Sequence, residues 1–244
     1  MNGRPDKIRS VPLKGVPGRA ILITGTDTGV GKTYVACLLG KRLREAGIDV
    51  RPLKPVESGC LPGPDGRPHP SDAAALRDAV APGLPLSAVC LHALAAPLSP
   101  RLAAEAEGVR VDPARVRRSV TDAAGAADLV LVEGAGGIAV ELRDGYSFAD
   151  LARDLSLPVL VVAGNRLGVL NHLELTIRYL ESERLRLLGV VLSDPSPGPF
   201  PAREPNEAGV RRIAGDRWLG RVPFGAASLP DGIFSRFREF ALSR

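Results

Sequence analysis

The chain has 244 residues, 45% of them apolar and 24% charged, with a formal net charge of +5. Such a composition builds one sizeable core and excludes a disordered polymer, and no apolar run reaches the roughly 18 residues of a membrane span. The basic surplus gathers in residues 1–19, where Arg4, Lys7, Arg9, Lys14 and Arg19 face only Asp6, so the rest is near neutral; without an aromatic platform, this excludes nucleic acid as the main ligand.

Residues 1–18, broken by Gly3, Pro5, Pro12, Gly15, Pro17 and Gly18, read as a flexible basic tail ahead of a single domain spanning residues 19–244. The N-terminus lacks the apolar centre of a signal peptide. Cys37, Cys60 and Cys90 are odd in number and form no C-x-x-C pair, so they read as reduced packing residues of a cytoplasmic protein.

The apolar run Ala20-Ile21-Leu22-Ile23 predicts a buried strand, followed by the loop Gly25-Thr26-Asp27-Thr28-Gly29-Val30-Gly31-Lys32-Thr33 and a helix. Strand, Gly-containing loop and helix together aim backbone N–H groups and a positive helix end at one point, where a phosphate can sit. Lys32 is placed to neutralise phosphate charge and Thr33 to offer a hydroxyl to Mg²⁺. Thr26 stands where the strict G-x-x-x-x-G-K-[ST] pattern has its first glycine, so the loop is a variant P-loop. Val35, Leu38, Leu39, Leu43 and Ala46 give the helix one apolar face, and Gly47 stops it.

Val50–Val56 reads as a second strand that leads into Lys54-Pro55-Val56-Glu57-Ser58-Gly59. Ligands of an open parallel sheet collect outside the carboxyl ends of its strands, which puts Lys54 and Ser58 on the P-loop rim. Only five of the 32 basic residues are lysines, so Lys32 and Lys54 mark places where a compact point charge is wanted. Residues 59–70 form a Pro/Gly/Asp-rich loop, expected to be mobile over the site, ahead of Ser71-Asp72 and a helix. Asp72 suits the first turn of that helix, either for the dipole alone or as a Mg²⁺ ligand beside the P-loop.

Residues 97–107 read as a loop and short helix, and Asp112-Pro113 as the cap of a helix with Val116 and Val120 inward. Asp128-Leu129-Val130-Leu131-Val132 predicts a central strand with Glu133 at its carboxyl end, the position of a Walker B metal ligand. Behind it, Gly134, Ala135, Gly136 and Gly137 let backbone amides approach a ligand. Leu157–Ala163 and Leu187–Leu192 are two more buried strands, separated by a helix from about Val169 to Glu183. Asn171 and His172 at its start are polar candidates, although a helix-start Asn and a partly exposed His are commoner. Trp218–Val222 is the last strand, and an end helix turns Ile233, Phe234, Phe237 and Phe240 inward. The expected fold is α/β: a single-domain, doubly wound, mostly parallel sheet flanked by helices, of P-loop NTPase type.

With these elements in order, the chain resembles the dethiobiotin synthetases from about residue 20 to residue 225. G-T-D-T-G-V-G-K-T at 25–33, K-P-V-E-S-G at 54–59, S-D at 71–72, A-P-L-S-P at 96–100, V-E-G-A-G-G at 132–137 and L-G-V-L-N-H at 167–172 carry the resemblance. It implies closure of the ureido ring of dethiobiotin from 7,8-diaminopelargonic acid and CO₂, with ATP as co-substrate and Mg²⁺ as cofactor, in a homodimer. Mapped by motif, Thr33, Asp72 and Glu133 would hold Mg²⁺, and Gly29, Val30, Gly31, Lys32, Thr33 and Tyr34 would wrap the triphosphate. Lys54 and Lys32 would stabilise the carbamate and the phosphoryl group in flight, and Thr28 and Ser58 would bind the diamine and carbamate end. Gly136, with Leu167 to Asn171 of the other subunit, would receive the substrate's tail.

The family commonly has Asn-Asp where this chain has Ser193-Asp194, the Asn reading the adenine edge. A serine hydroxyl offers less than a matched amide, so base selectivity is expected to relax or to pass to Pro223 and its neighbours. A MinD/ParA-type switch ATPase has a K-G-G-x-G-K-[ST] loop, whose signature lysine would fall on Asp27. A cobyrinate-type amide synthetase carries a glutaminase domain with a nucleophilic Cys, for which this length leaves no room.

Overall fold

The computed structural model describes residues 20–197 and 201–242; the basic tail 1–18 lies outside them. Six strands form one parallel sheet: β1 (Ala20–Gly25), β2 (Val50–Leu53), β3 (Leu129–Gly137), β4 (Val159–Gly164), β5 (Leu187–Ser193) and β6 (Trp218–Val222). Their spatial order is β6-β5-β4-β1-β3-β2, every neighbouring pair parallel. From β1 the chain crosses to the edge strand β2 and returns to β3 beside β1. It then winds outward on the other side through β4, β5 and β6, which opens a crevice at the carboxyl end of β1.

Side chains alternate across each strand, so the sheet has two apolar faces. Ala20, Leu22, Val130, Val132, Val159 and Val161 look toward one layer. That layer comprises α4 (Pro100–Ala106), α5 (Pro113–Gly125), α6 (Phe148–Asp154), α7 (Val169–Ser182) and α8 (Arg203–Ala214). Ile21, Ile23, Leu129, Leu131, Leu160 and Val162 look the other way, onto α1 (Lys32–Glu45), α2 (Ser71–Val80) and α9 (Asp231–Leu242), with the short α3 (Leu86–Val89) packed on α2. A Cβ at Gly40 of α1 would lie 2.4 Å from Val80, so a glycine there lets α1 and α2 close on each other.

The strand expected over Val50–Val56 is shorter. β2 ends at Leu53, the Lys54 amide donates to the Val89 carbonyl over 2.8 Å, and Pro55 has no amide to extend the ladder. Val56–Ser58 then pairs with His92–Leu94 in a separate parallel ribbon. Lys54 therefore stands at the break, where the chain leaves the sheet. Residues 59–70 are not bare loop either: Leu61–Pro62 and Pro68–His69 pair as a short hairpin, closed by the Gly63 amide on the Arg67 carbonyl at 2.8 Å.

Candidate functional site

The P-loop starts where β1 stops. A Cβ at Gly25 would fall 2.6 Å from the Asp27 carbonyl oxygen and 3.1 Å from Lys32 Nζ, so the loop folds over a bare backbone. Gly29 and Gly31 take φ of 69° and 89°, in the left-handed region that a glycine adopts without strain. Lys32 Nζ crosses the loop to donate to the Asp27 carbonyl over 3.2 Å. Burial holds the Lys32 pKa below its ordinary value, against the pull of Glu133. The Asp27 carboxylate accepts from the Thr28 amide at 2.7 Å and pairs with the Arg166 guanidinium. The position of the switch ATPases' lysine is thus an acid that ties the P-loop to the segment after β4.

Four side chains meet behind the loop. Glu133 Oε1 accepts from Thr33 Oγ1 at 2.8 Å and from Lys54 Nζ at 2.6 Å, and Lys54 also lies 3.2 Å from Asp72 Oδ2. Glu133 pairs in register with Ile23, and β3 shifts register before Gly25 meets Gly137. The acid is therefore held inside the strand, and the irregular stretch after it brings Gly136, at φ 63°, toward Thr28. Burial alone would lower the Lys54 pKa, but Glu133 and then Asp72 outweigh it, and the pKa is raised.

These groups border a cleft of about 1000 Å³. Thr28, Gly29, Gly31, Lys32, Thr33 and Tyr34 line one side, with Lys54, Ser58 and Asp72 next to them. Ala135 and Gly136 join from the end of β3. The facing wall is Pro97-Leu98-Ser99-Pro100, held by Ser58, whose hydroxyl donates to the Leu98 carbonyl over 2.6 Å. Ser58 keeps its lone pairs for a donor in the cleft, such as a substrate ammonium.

Several expected residues sit elsewhere. The Val30 side chain is 1% exposed and packs in the core with Ile23 and Val162, leaving only its backbone for a phosphate. Gly134 lies between the Ile23 carbonyl and the Phe148 ring, not on the cleft wall. Pro223 is exposed outside the lining, and Phe224 and Gly225 take the place expected for it. Leu167, 86% exposed, and Asn171, also exposed, are outside the lining of this chain's own cleft; the resemblance assigned them to the other subunit's site.

Ser193 and Asp194 do reach the cleft, but with different freedom. A Cβ at Gly31 would stand 2.5 Å from Ser193 Oγ, so serine and P-loop glycine are packed against one another. The Asp194 carboxylate is already engaged, by Asn165 Nδ2 at 2.8 Å and by the Arg221 fork at 3.0 and 2.7 Å. These bonds brace the wall that Asp194 lines. Glu57, Leu98 and Phe224 were not singled out from sequence. Glu57 stands inside K-P-V-E-S-G, where its acid type was the available signal.

Comparison with known proteins bears on this geometry. A family model described as an AAA domain matches residues 19–229. The ATP-dependent dethiobiotin synthetase of Anaeromyxobacter dehalogenans (strain 2CP-C) is 44% identical over 206 residues, 84% of this chain and 90% of that protein. The enzyme of the same name from Aromatoleum aromaticum is 41% identical over 223 residues, 90% and 97% of the two chains. Among solved structures, a ParA family ATPase from Chlorobium tepidum superposes with a TM-score of 0.54 at 13% identity, covering 92% of this chain and 99% of that one. That likeness is of fold alone. A variant P-loop whose switch-type lysine is replaced by an acid, together with relatives matched over nearly their whole length, sets the assignment: the chain belongs to the ATP-dependent dethiobiotin synthetase family.

Proposed function

We infer that this cleft performs the family's reaction: the chain is an ATP-dependent ligase that closes the ureido ring of dethiobiotin from 7,8-diaminopelargonic acid and CO₂. A substrate amine takes up CO₂ as a carbamate, a carbamate oxygen attacks the γ-phosphate of ATP, and the second amine closes the ring as phosphate leaves. The supporting observation is Lys54. It is buried at the cleft edge, donates to Glu133 Oε1 and lies 3.2 Å from Asp72 Oδ2, which leaves donor capacity for an anion in the cleft. A point charge fixed there before the reaction meets the negative charge of carbamate and phosphoryl group where it develops. Lys32, spanning the P-loop, does the same from the nucleotide side.

Thr33, Asp72 and Glu133 fit a divalent cation. Among the described residues no group of three or more His, Cys, Asp and Glu side chains could hold a metal, but this set is two carboxylates and a hydroxyl. Glu133 Oε2 is buried without a hydrogen-bond partner, as expected of a ligand atom kept for a cation. Mg²⁺ would supply charge neutralisation between these acids and the phosphates. The exposed Leu167 and Asn171 support a homodimer in which each cleft is completed by its neighbour, and reduced thiols support a cytoplasmic location.

The experiment is phosphate release by the purified protein with ATP, Mg²⁺ and bicarbonate, with and without 7,8-diaminopelargonate, and dethiobiotin detected by mass. Diamine-dependent release with dethiobiotin formed is the expected result. Release indifferent to the diamine would overturn the reading.

A further inference from the structure

Helix α2 begins without a cap of its own. Pro70 occupies the N-cap position and gives no side-chain hydrogen bond, although the first N–H groups of any helix need acceptors. The acceptor comes from far back in the chain. Glu57 Oε1 accepts from the Asp72 amide at 3.0 Å and from Ser71 Oγ at 3.4 Å, and Oε2 accepts from the Ala73 amide at 2.9 Å. Glu57 is 5% exposed, so this carboxylate is buried in order to make these bonds. Burying a charge is costly unless it is fully hydrogen-bonded, and here the helix dipole adds to the two amides.

Glu57 adjoins Ser58, which holds the cleft wall, and it bonds the backbone of Asp72, whose carboxylate meets Lys54 at 3.2 Å. One side chain therefore closes the base of the segment 58–70 and sets where the Asp72 carboxylate stands. We propose that Glu57 is a positioning residue for the cation site: by capping α2 from a distance it holds Asp72 in reach of the metal shared with Thr33 and Glu133. The inference rests on the reading above that Asp72 is a ligand of Mg²⁺. Glutamine is no substitute. Its amide has one acceptor oxygen and turns an NH₂ group toward an N–H donor.

The test is a double-mutant cycle in the full chain, read as the factor by which Mg²⁺ tightens ATP binding, from calorimetry with Mg²⁺ and with EDTA, without the diamine. Glu57→Ala and Glu57→Gln are expected to shrink that factor by about five- to tenfold, the scale of a lost cap, while ATP affinity in EDTA is unchanged. Asp72→Asn is expected to shrink it as much, and Glu57→Ala with Asp72→Asn no more than Asp72→Asn alone. A Glu57→Ala protein that keeps the full Mg²⁺ factor, adds to Asp72→Asn, or loses ATP equally in EDTA overturns the proposal. If Asp72→Asn itself leaves the factor intact, the metal assignment fails, and the proposal with it. Should Glu57→Ala not fold, Glu57→Gln gives the same reading.

Discussion

Lys54 Nζ donates to Glu133 Oε1 over 2.6 Å, with the two side chains only 4% and 1% exposed. Paired charges this deep are costly to part, because the one left behind has neither water nor partner. Lys54→Ala is therefore expected to cost about 3–5 kcal/mol of stability as well as roughly 10²–10³-fold in turnover. Denaturant unfolding separates the two effects. Lys54→Met combined with Glu133→Gln should recover most of the stability and none of the turnover. Its raised pKa gives a further sign: the stabilisation by Lys54 is complete below 10.5, its ordinary value, and is lost only as pH rises through the higher folded value.

Gly31 is constrained twice, by its φ of 89° and by Ser193 Oγ at 2.5 Å from where a Cβ would stand. Gly31→Ala should cost about 1–2 kcal/mol from backbone strain alone, with ATP binding lost as the loop shifts. Ser193→Gly removes the contact but not the strain, so the double variant should regain part of the ATP affinity and little of the stability. Fluorescent-nucleotide titration beside thermal melts reads both.

The parts of the site legible in sequence were those whose signal is local. The P-loop lies within nine consecutive residues, Glu133 ends an apolar run, and Asp72 follows a proline at a helix start. Lys54 was placed on the rim correctly, although its strand ends earlier than expected, because Pro55 and the Val89 carbonyl draw the chain off the sheet. Glu57 left no such mark. Its role depends on a hydrogen bond fifteen residues away, and an acid between Val56 and Ser58 reads equally well as surface. Asp194 was placed at the cleft, but its bracing was not legible, because its partners Asn165 and Arg221 are 29 and 27 residues distant. Of the short elements, α4 was expected within residues 97–107, whereas α6, with its Ser147/Asp150 capping box, was not read from the sequence.

The three thiols should be inert. Burial pushes the Cys37 and Cys90 thiols up to about 12 and Cys60 to about 11. At pH 8 little thiolate forms, so iodoacetamide should label the native protein slowly and the unfolded protein at all three positions. The same shifts make stability fall with pH: it is undiminished below 9.0, the ordinary thiol value, and declines toward 11–12 as the unfolded chain releases protons that the folded one keeps. Rapid labelling of any one thiol at pH 8 would contradict this.

Arg221 bridges Asp194, Glu204 and Glu207, at 2.7, 2.9 and 3.0 Å. Asp194 is 4% exposed and its carboxylate takes the guanidinium fork. Arg221→Ala leaves that carboxylate with Asn165 and the more distant Arg203, at 3.6 Å. The loss should be about 3 kcal/mol, or roughly 6–12 °C in melting temperature for a domain of this size. Arg221→Lys keeps the charge but not the planar fork, and should fall between the two. Because the Asp194 oxygens are taken up by Asn165 and Arg221 in bracing the wall, turnover at saturating ATP should survive both changes. A variant that melts normally but loses turnover would instead place Asp194 in direct contact with the nucleotide.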